Sequence, residues 1–400
     1  MRWFSLFCAV LLCAALTAAL GTGAFAEEKG PSTVKIGVVM ELTGPVGPGG
    51  VDVQKGMHLA VEKAGGMIAG KKIELLMEDS GGDASLAMDK GRKLIETDKV
   101  SLIIGPILSG GQLALTSYAE KAGVPWMGIM VNENGIATQK GAFAPQGIAM
   151  EAAYGPGVYA HDVLGYKTAV ALVADFVGPR QFLEAFKRGF EERGGKMIQE
   201  NFYPEGTSNM IPYFTALKQA DFIAYWGTPG DCFAAFPQYK ELHLKMPLVQ
   251  PEDGGVTATP GMLQHLGQAA VGTVFGTAYL YNANTPGNKE FVEAYKQKYN
   301  ELPGVFAGAG YSDMQIVLAA LKGTSDFRPN ALYKAIKDVK VDTVRGRLFF
   351  PSEPGIVAGI ANYPNFMAKV GPNLEIMPIL PVDNVHVKMK NGQLVPYFLK

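Results

Sequence analysis

From Val34 onward, short β-branched runs alternate with segments whose apolar residues recur at helical spacing, and this alternation narrows the fold more than any other feature. Val34 to Met40 is a continuous run of the kind found in strands buried on both faces. Val53, Met57, Ala60, Val61 and Ala64 follow at helical spacing and stop at Gly65-Gly66. Lys72 to Glu78 reads as a second strand, and Asp83 is placed to cap a helix carrying Ala87, Met88, Leu94 and Ile95 on one face. Val100 to Ile104 reads as a third strand, Gln112 to Ala122 as a helix, and Val124 to Met130 as a fourth strand. Four parallel strands with crossover helices make one doubly wound lobe.

Near residue 150 the alternation restarts. Tyr154 to Leu164 predicts a helix, Thr168 to Val173 a strand, Arg180 to Arg193 a helix ended by Gly194-Gly195, and Lys196 to Phe202 a strand. Ile211 to Gln219 reads as a helix and Asp221 to Trp226 as a strand, with a further helix and strand to Val249. From Val271 come a strand, helices near Asn288 to Tyr299, Asp313 to Leu321 and Pro329 to Lys337, and then short strands. Length agrees with two lobes, because 400 residues at 48% hydrophobic content exceed the single core that about 250 to 300 residues can build. The 49 glycines fit many tight strand-to-helix turns.

The first residues carry an address. Arg2 precedes the apolar stretch Leu6 to Leu20, and Ala24-Phe25-Ala26 places small residues where a signal peptidase reads them, so export with cleavage after Ala26 is expected. The apolar run is shorter than the ~20 residues of a membrane span and is broken by Gly21 and Gly23. Phe7 and Leu12 are too large to precede a lipidated Cys8 or Cys13. Cleavage would leave Cys232 alone, with no intramolecular disulfide. Lys plus Arg total 36 against Asp plus Glu 37, with no long block of either sign, which argues against a nucleic-acid or membrane-surface partner.

Three loops stand at the carboxyl ends of strands, where α/β sheets bind ligands. Gly44-Pro45-Val46-Gly47-Pro48-Gly49-Gly50 follows the first strand, but Asp52 falls where a dinucleotide fingerprint read from Gly47 needs its third glycine. A close-approach loop for a small ligand and a plain turn both remain open. Ser109, just before a helix and followed by Gly110 and Gly111, either holds a carboxylate at the positive helix end or caps its own helix. Pro251-Glu252-Asp253-Gly254-Gly255 sets two carboxylates after a second-lobe strand, as a ligand-facing pair or a solvated acidic turn. Phe176, Tyr225 and Trp226 end second-lobe strands and can cover an apolar ligand body or pack in the core. Ser109 lies outside any Gly-x-Ser-x-Gly elbow, and His58, His161, His243, His265 and His386 have no ligand spacing. No catalytic residue, cofactor or metal is expected.

These residues resemble the periplasmic leucine/isoleucine/valine-binding proteins of ABC transporters, which have the type I periplasmic binding fold. The likeness is carried by Val34-Lys35-Ile36-Gly37-Val38-Val39 with Thr43-Gly44-Pro45-Val46, by Gly65 to Leu75, by Ile104-Gly105-Pro106 leading to Ser109, by Thr207 to Asp221 and by Val341-Asp342-Thr343-Val344-Arg345-Gly346. It implies an α/β protein of two doubly wound, Rossmann-like lobes joined by a hinge, 31–150 plus 277–350 and 151–276 plus 351–400. It also implies a periplasmic monomer that captures an amino acid, branched-chain or similarly apolar, and delivers it to a membrane permease. A hydrophobic or aromatic carboxylate ligand, or a ligand-sensing regulator on the same fold, are the alternatives. Carried over, Ser109 holds the ligand carboxylate, Glu252 pairs with its ammonium, Met130 offers a backbone carbonyl and Asn132 replaces a threonine. Leu108, Phe176, Trp226, Thr228 and Asp253 complete the expected ligand shell. Gly49 and Thr228 stand where relatives often place aromatics, which implies a differently shaped side-chain pocket.

Overall fold

Strand β1 (Thr33–Met40) is buried along most of its length because parallel strands flank it on both sides, β3 (Lys71–Asp79) and β4 (Leu102–Ile104). The computed structural model describes residues 33–131, 134–352, 359–382, 385–390 and 393–398, so the expected export signal and Asn132 lie outside the described residues. The two short strands β5 (Trp126–Met127) and β6 (Ala142–Phe143) continue the parallel sheet, and β2 (Met67–Ile68) adds an antiparallel edge to β3. Its order is β2-β3-β1-β4-β5-β6. Helices α1 (Gly47–Lys63), α2 (Ala84–Glu96) and α3 (Ser109–Ala122) make the crossovers, and Asp83 caps α2 by accepting from the Leu86 amide.

A second sheet repeats the scheme. Helix α4 (Ala149–Asp162) leads into β7 (Thr168–Ala174), α5 (Val177–Glu192), β8 (Lys196–Tyr203), α6 (Ile211–Thr215), β9 (Phe222–Trp226), α7 (Pro229–Glu241), β10 (Leu248–Gln250), α8 (Pro260–Leu266) and β11 (Val274–Thr277). Its parallel part runs β8-β7-β9-β10-β11, and without the edge hairpin the first sheet runs β3-β1-β4-β5-β6. Both lobes therefore share one strand order, second-first-third-fourth-fifth, in which the order reverses beside the first strand and opens a crevice there.

After β11 the chain returns. Helices α9 (Asn288–Tyr299) and α10 (Val305–Lys322) pack on α1, where Lys55 reaches Glu301 at 2.5 Å and the Tyr299 hydroxyl donates to the Lys55 carbonyl at 3.2 Å. Helix α11 (Pro329–Lys337) and the hairpin β12 (Lys340–Thr343) with β13 (Gly346–Phe349) follow. Strand β14 (Asn365–Val370) then joins the second sheet antiparallel to β11, β15 (Ile376–Val382) pairs antiparallel with β14 at the sheet edge, and β16 (Val385–Lys390) pairs with β17 (Gln393–Phe398). Chain thus passes between the sheets at 144–148 and 278–287, and the described residues 350–352 and 359–364 belong to a third passage. The first and last passages are bonded, the Ala144 amide donating to the Gly359 carbonyl at 2.7 Å and the Ala361 amide to the Ala144 carbonyl at 3.1 Å.

Several element bounds differ from the sequence expectation for local reasons. The strand expected at 124–130 stops at Met127, because the chain folds back at Gly128 so tightly that a Cβ there would sit 2.2 Å from Val131. The helix expected to Gln219 stops at Thr215: the Gln199 side chain from β8 donates to the Ala216 carbonyl at 3.0 Å and accepts from the Lys218 amide at 2.7 Å. Helix α10 begins at Val305 instead of Asp313, its glycine-rich first turns lying backbone-to-backbone on α1. A Cβ on Gly56 would meet the Ala307 carbonyl oxygen at 2.2 Å, and one on Gly310 the Val53 carbonyl oxygen at 2.3 Å.

Candidate functional site

The switch-point loops of both sheets converge on one cavity, with an empty volume of about 540 Å³ including the solvent at its mouth. The first lobe contributes Val46 and Gly49 after β1, Ile107 and Leu108 after β4, and Met130 after β5. Opposite them stand Phe176 after β7, Trp226, Thr228 and Pro229 at the end of β9, and Glu252, Gly254 and Gly255 after β10. Phe306 enters from the start of α10. Six of the nine residues expected in the ligand shell thus come together: Leu108, Met130, Phe176, Trp226, Thr228 and Glu252.

The first-lobe wall is held from behind. The Glu41 carboxylate, 1% exposed, accepts from the amides of Ile107 at 2.9 Å and Leu108 at 3.1 Å. Burial pushes its pKa up, against the pull of those two amides. Buried Gln112 donates to the carbonyls of Pro106, Ile107 and Ile129 at 2.9–3.0 Å, tying the loop after β4 to the loop after β5. Gln146 accepts from the Met130 amide at 3.2 Å, and Met130 holds a left-handed φ of 49°. The glycine run expected to form a loop instead supplies the first turn of α1, since Pro48 suits a helix start and Gly50 lets the backbone press on Glu41. A Cβ on Gly50 would lie 1.9 Å from the Glu41 carbonyl oxygen.

Ser109 does not cap its own helix, one of the two readings of the sequence. It is the first residue of α3, not the residue before it; Leu108 is the N-cap and no side chain caps the helix. The Ser109 hydroxyl is buried and has no hydrogen-bond partner, beside first-turn amides that an α-helix leaves without intrahelical partners.

The second-lobe wall is made of side chains. Trp226 stacks on Phe182 with ring centroids 5.9 Å apart and meets the Phe176 edge at 5.8 Å. Its indole nitrogen donates to Glu252 Oε2 at 3.0 Å, and the Gly254 amide donates to the same oxygen at 2.9 Å. Glu252 Oε1 is buried without a partner. Glu252 is the one ionisable group among the described residues lining the cavity. The acidic run is no solvated turn: Glu252 is 6% exposed and Asp253 0%. Asp253 turns away from the cavity and accepts from the Ala258 amide at 3.0 Å, its pKa pushed well up by burial first and by the Glu252 carboxylate second. Tyr225 packs in the core against Tyr203, and the Thr228 hydroxyl is spent on a capping box with Asp231.

Phe306 had no signal in the sequence beyond its chemistry. Its ring lies between two glycines from opposite walls, so that a Cβ on Gly49 would meet it at 2.9 Å and one on Gly255 at 2.1 Å. The space left open by Gly49 is filled by an aromatic from a helix more than two hundred residues away in sequence. Among the described residues no group of His, Cys, Asp and Glu is arranged to hold a metal ion, and no helix is long and apolar enough to cross a membrane.

Residues 33–359 match the family model described as periplasmic binding protein. The chain belongs to that family. A relative, Leu/Ile/Val-binding protein homolog 7 of Brucella abortus (strain 2308), is 27% identical over 355 residues, 81% of this chain and 86% of the relative. Among solved structures, an ABC transporter substrate-binding protein from Sphaerobacter thermophilus superposes with a TM-score of 0.79 at 28% identity, covering 87% of this chain and 96% of its own. A solute-binding protein of an R. palustris ABC transporter, in complex with benzoate, gives 0.78 at 19% identity, covering 90% and 99%. This periplasmic binding protein is accordingly a substrate-binding component of an ABC transporter, working outside the cytoplasm with a membrane permease, and not an enzyme. Its α/β architecture, with two doubly wound lobes, is the type I periplasmic binding fold.

Proposed function

We propose that the protein captures an amino acid with an apolar side chain and closes its two lobes on it before delivery to the permease. The observation that carries this reading is Glu252 Oε1, an acceptor buried without a partner on an otherwise apolar wall. A buried carboxylate oxygen calls for a donor, and a ligand ammonium supplies one with opposite charge. The ligand carboxylate would lie at the start of α3, where the Ser109 hydroxyl and the positive helix end meet it. Val46, Ile107, Leu108, Met130, Phe176, Trp226 and Phe306 leave the remaining volume to an apolar side chain. The name of the Brucella relative points the same way.

A plain carboxylate such as the benzoate of the R. palustris protein fits less well, because it brings an anion toward Glu252 with no cation among the described lining residues. The passages at 144–148, at 278–287 and through 359–364 would serve as the hinge, with lobes bounded near residues 150, 276 and 350. Ligand then favours the closed state only through its greater affinity for that state. Calorimetry with leucine, isoleucine, valine, phenylalanine and benzoate tests the assignment. Binding of the amino acids but not benzoate is expected; benzoate bound at undiminished affinity by Glu252→Gln, with no amino acid binding, would overturn it. Intact-mass measurement of exported protein tests cleavage after Ala26.

A further inference from the structure

The segment Val341 to Gly346 carried part of the family likeness yet has no place in the cavity. Its Arg345 sits in the turn between β12 and β13 and is 1% exposed. Arg345 Nη1 donates to the Pro145 carbonyl at 3.0 Å, in the first passage between the sheets. Nε donates to the Ala278 carbonyl at 3.0 Å, in the second. The guanidinium lies over the ring of Tyr363, 4.8 Å from its centroid, in the third. One side chain therefore touches all three passages. A guanidinium suits this position because its rigid fork bonds two carbonyls while its flat face stacks on a ring.

The contacts continue toward the cavity. Pro145 is followed by Gln146, which is 4% exposed and accepts from the Met130 amide while donating to Asp313 Oδ1 at 2.7 Å. Asp313 is fully buried on α10, and its second oxygen, like Arg345 Nη2, has no hydrogen-bond partner. Met130 is a cavity residue in a left-handed conformation that a non-glycine residue adopts only when its surroundings hold it there.

We propose that Arg345 is the pin of the hinge, and that Gln146, braced by Asp313, passes the position of the pinned passages to the Met130 backbone, so that lobe angle and cavity wall move together. None of these three is among the described residues lining the cavity, and Gln146 reaches it through its hydrogen bond with Met130; they are positioning residues. A guanidinium that merely satisfied buried carbonyls would support global stability alone. The relay adds two native-state properties, the protection of the Met130 amide and the spread of lobe angles.

Both are readable without ligand in the chain from Glu27, which lacks Cys8 and Cys13, so the outcome is independent of the amino-acid assignment. Spin labels at Leu86→Cys and Val163→Cys, both exposed and one on each lobe, report lobe separation, since Cys232 is buried. Hydrogen exchange followed by mass spectrometry reports the peptide containing Met130. Arg345→Lys keeps the charge but cannot hold the two carbonyls and the ring together; it is expected to broaden the distance distribution and to speed Met130 exchange roughly tenfold. Gln146→Met should speed the exchange by a similar factor while leaving the distances narrow. Should Arg345→Lys not fold, Tyr363→Leu, which removes the ring beneath the guanidinium, is expected to shift the same two quantities. Faster exchange in Gln146→Met with neither quantity altered in the Arg345 or Tyr363 variant would overturn the relay, as would unchanged exchange in Gln146→Met.

Discussion

The two walls of the cavity are built on one strand order but by opposite means. The first-lobe wall presents backbone and small or aliphatic residues, fixed from behind by Glu41, Gln112 and Gln146, whose side chains bond main-chain atoms. The second presents side chains directly, with Trp226 and Glu252 bonded to each other across the wall. A wall of backbone is as good as its supports, whereas a wall of side chains can be edited one group at a time. Substitutions behind the first wall should therefore cost folding stability, and substitutions on the second should cost ligand affinity.

Glu41→Ala breaks the comparison most forcefully if it fails. It leaves the amides of Ile107 and Leu108 without their acceptor, and a buried donor left unpaired costs about 1–3 kcal/mol. Destabilisation of about 3 kcal/mol is expected in urea unfolding, against less than about 0.5 kcal/mol for exposed positions.

Asp313→Asn follows, and it acts through pH. Burial raises the Asp313 pKa from 3.8 to about 8, with Arg345 pulling it partly back. Because the folded chain keeps a proton that the unfolded chain releases above pH 4, this group's contribution is complete below pH 4 and is lost as pH rises to about 8. Its share of the slope is at most about 1.4 kcal/mol per pH unit. Glu41 and Asp253 shift in the same direction, so the variant should flatten the fall in stability between pH 5 and 7 without abolishing it. Unfolding curves at pH 5, 6 and 7 check this, and an unchanged slope would show that Asp313 is ionised in the folded protein.

Glu252→Gln sharpens the contrast from the other wall. Stability should hold or rise, since the substitution removes a buried charge whose Oε1 has no partner. Affinity for an apolar amino acid should fall roughly ten- to a hundredfold, the worth of a charge-assisted hydrogen bond. Calorimetry and thermal unfolding on the same preparation separate the two effects.

The second wall was also the more legible in sequence. Phe176, Trp226 and Glu252 are chemically conspicuous residues at strand ends, and the strand-end rule places them without any knowledge of packing, whereas Thr228 came only from the family resemblance. The supports of the first wall gave no such sign. Gln112 and Gln146 are ordinary polar residues whose roles depend on which carbonyls reach them after folding, a matter of contacts distant in sequence. The alternation of strands and helices yielded both doubly wound lobes, yet the two-residue strands β5 and β6 carry too few residues for any period to show. Phe306 was hidden for a related reason. Its role exists only because Gly49 and Gly255, from different lobes, leave it room.

Ser109→Ala is the smallest expected change and tests the boundary between the two kinds of wall. Ser109 belongs to the backbone wall by position, but its hydroxyl is buried without a partner and supports no main-chain atom. Removing a hydroxyl that makes no hydrogen bond forfeits none, and it relieves the cost of burying a polar group. Stability without ligand should therefore stay within about 0.5 kcal/mol or rise slightly. If the hydroxyl is kept for a ligand carboxylate, affinity should fall roughly tenfold. The pairing of these outcomes is the point. A loss of stability with unchanged affinity would make Ser109 one more support of the first wall. Lost affinity without lost stability would make it the single position where that wall, like the other, meets the ligand through a side chain.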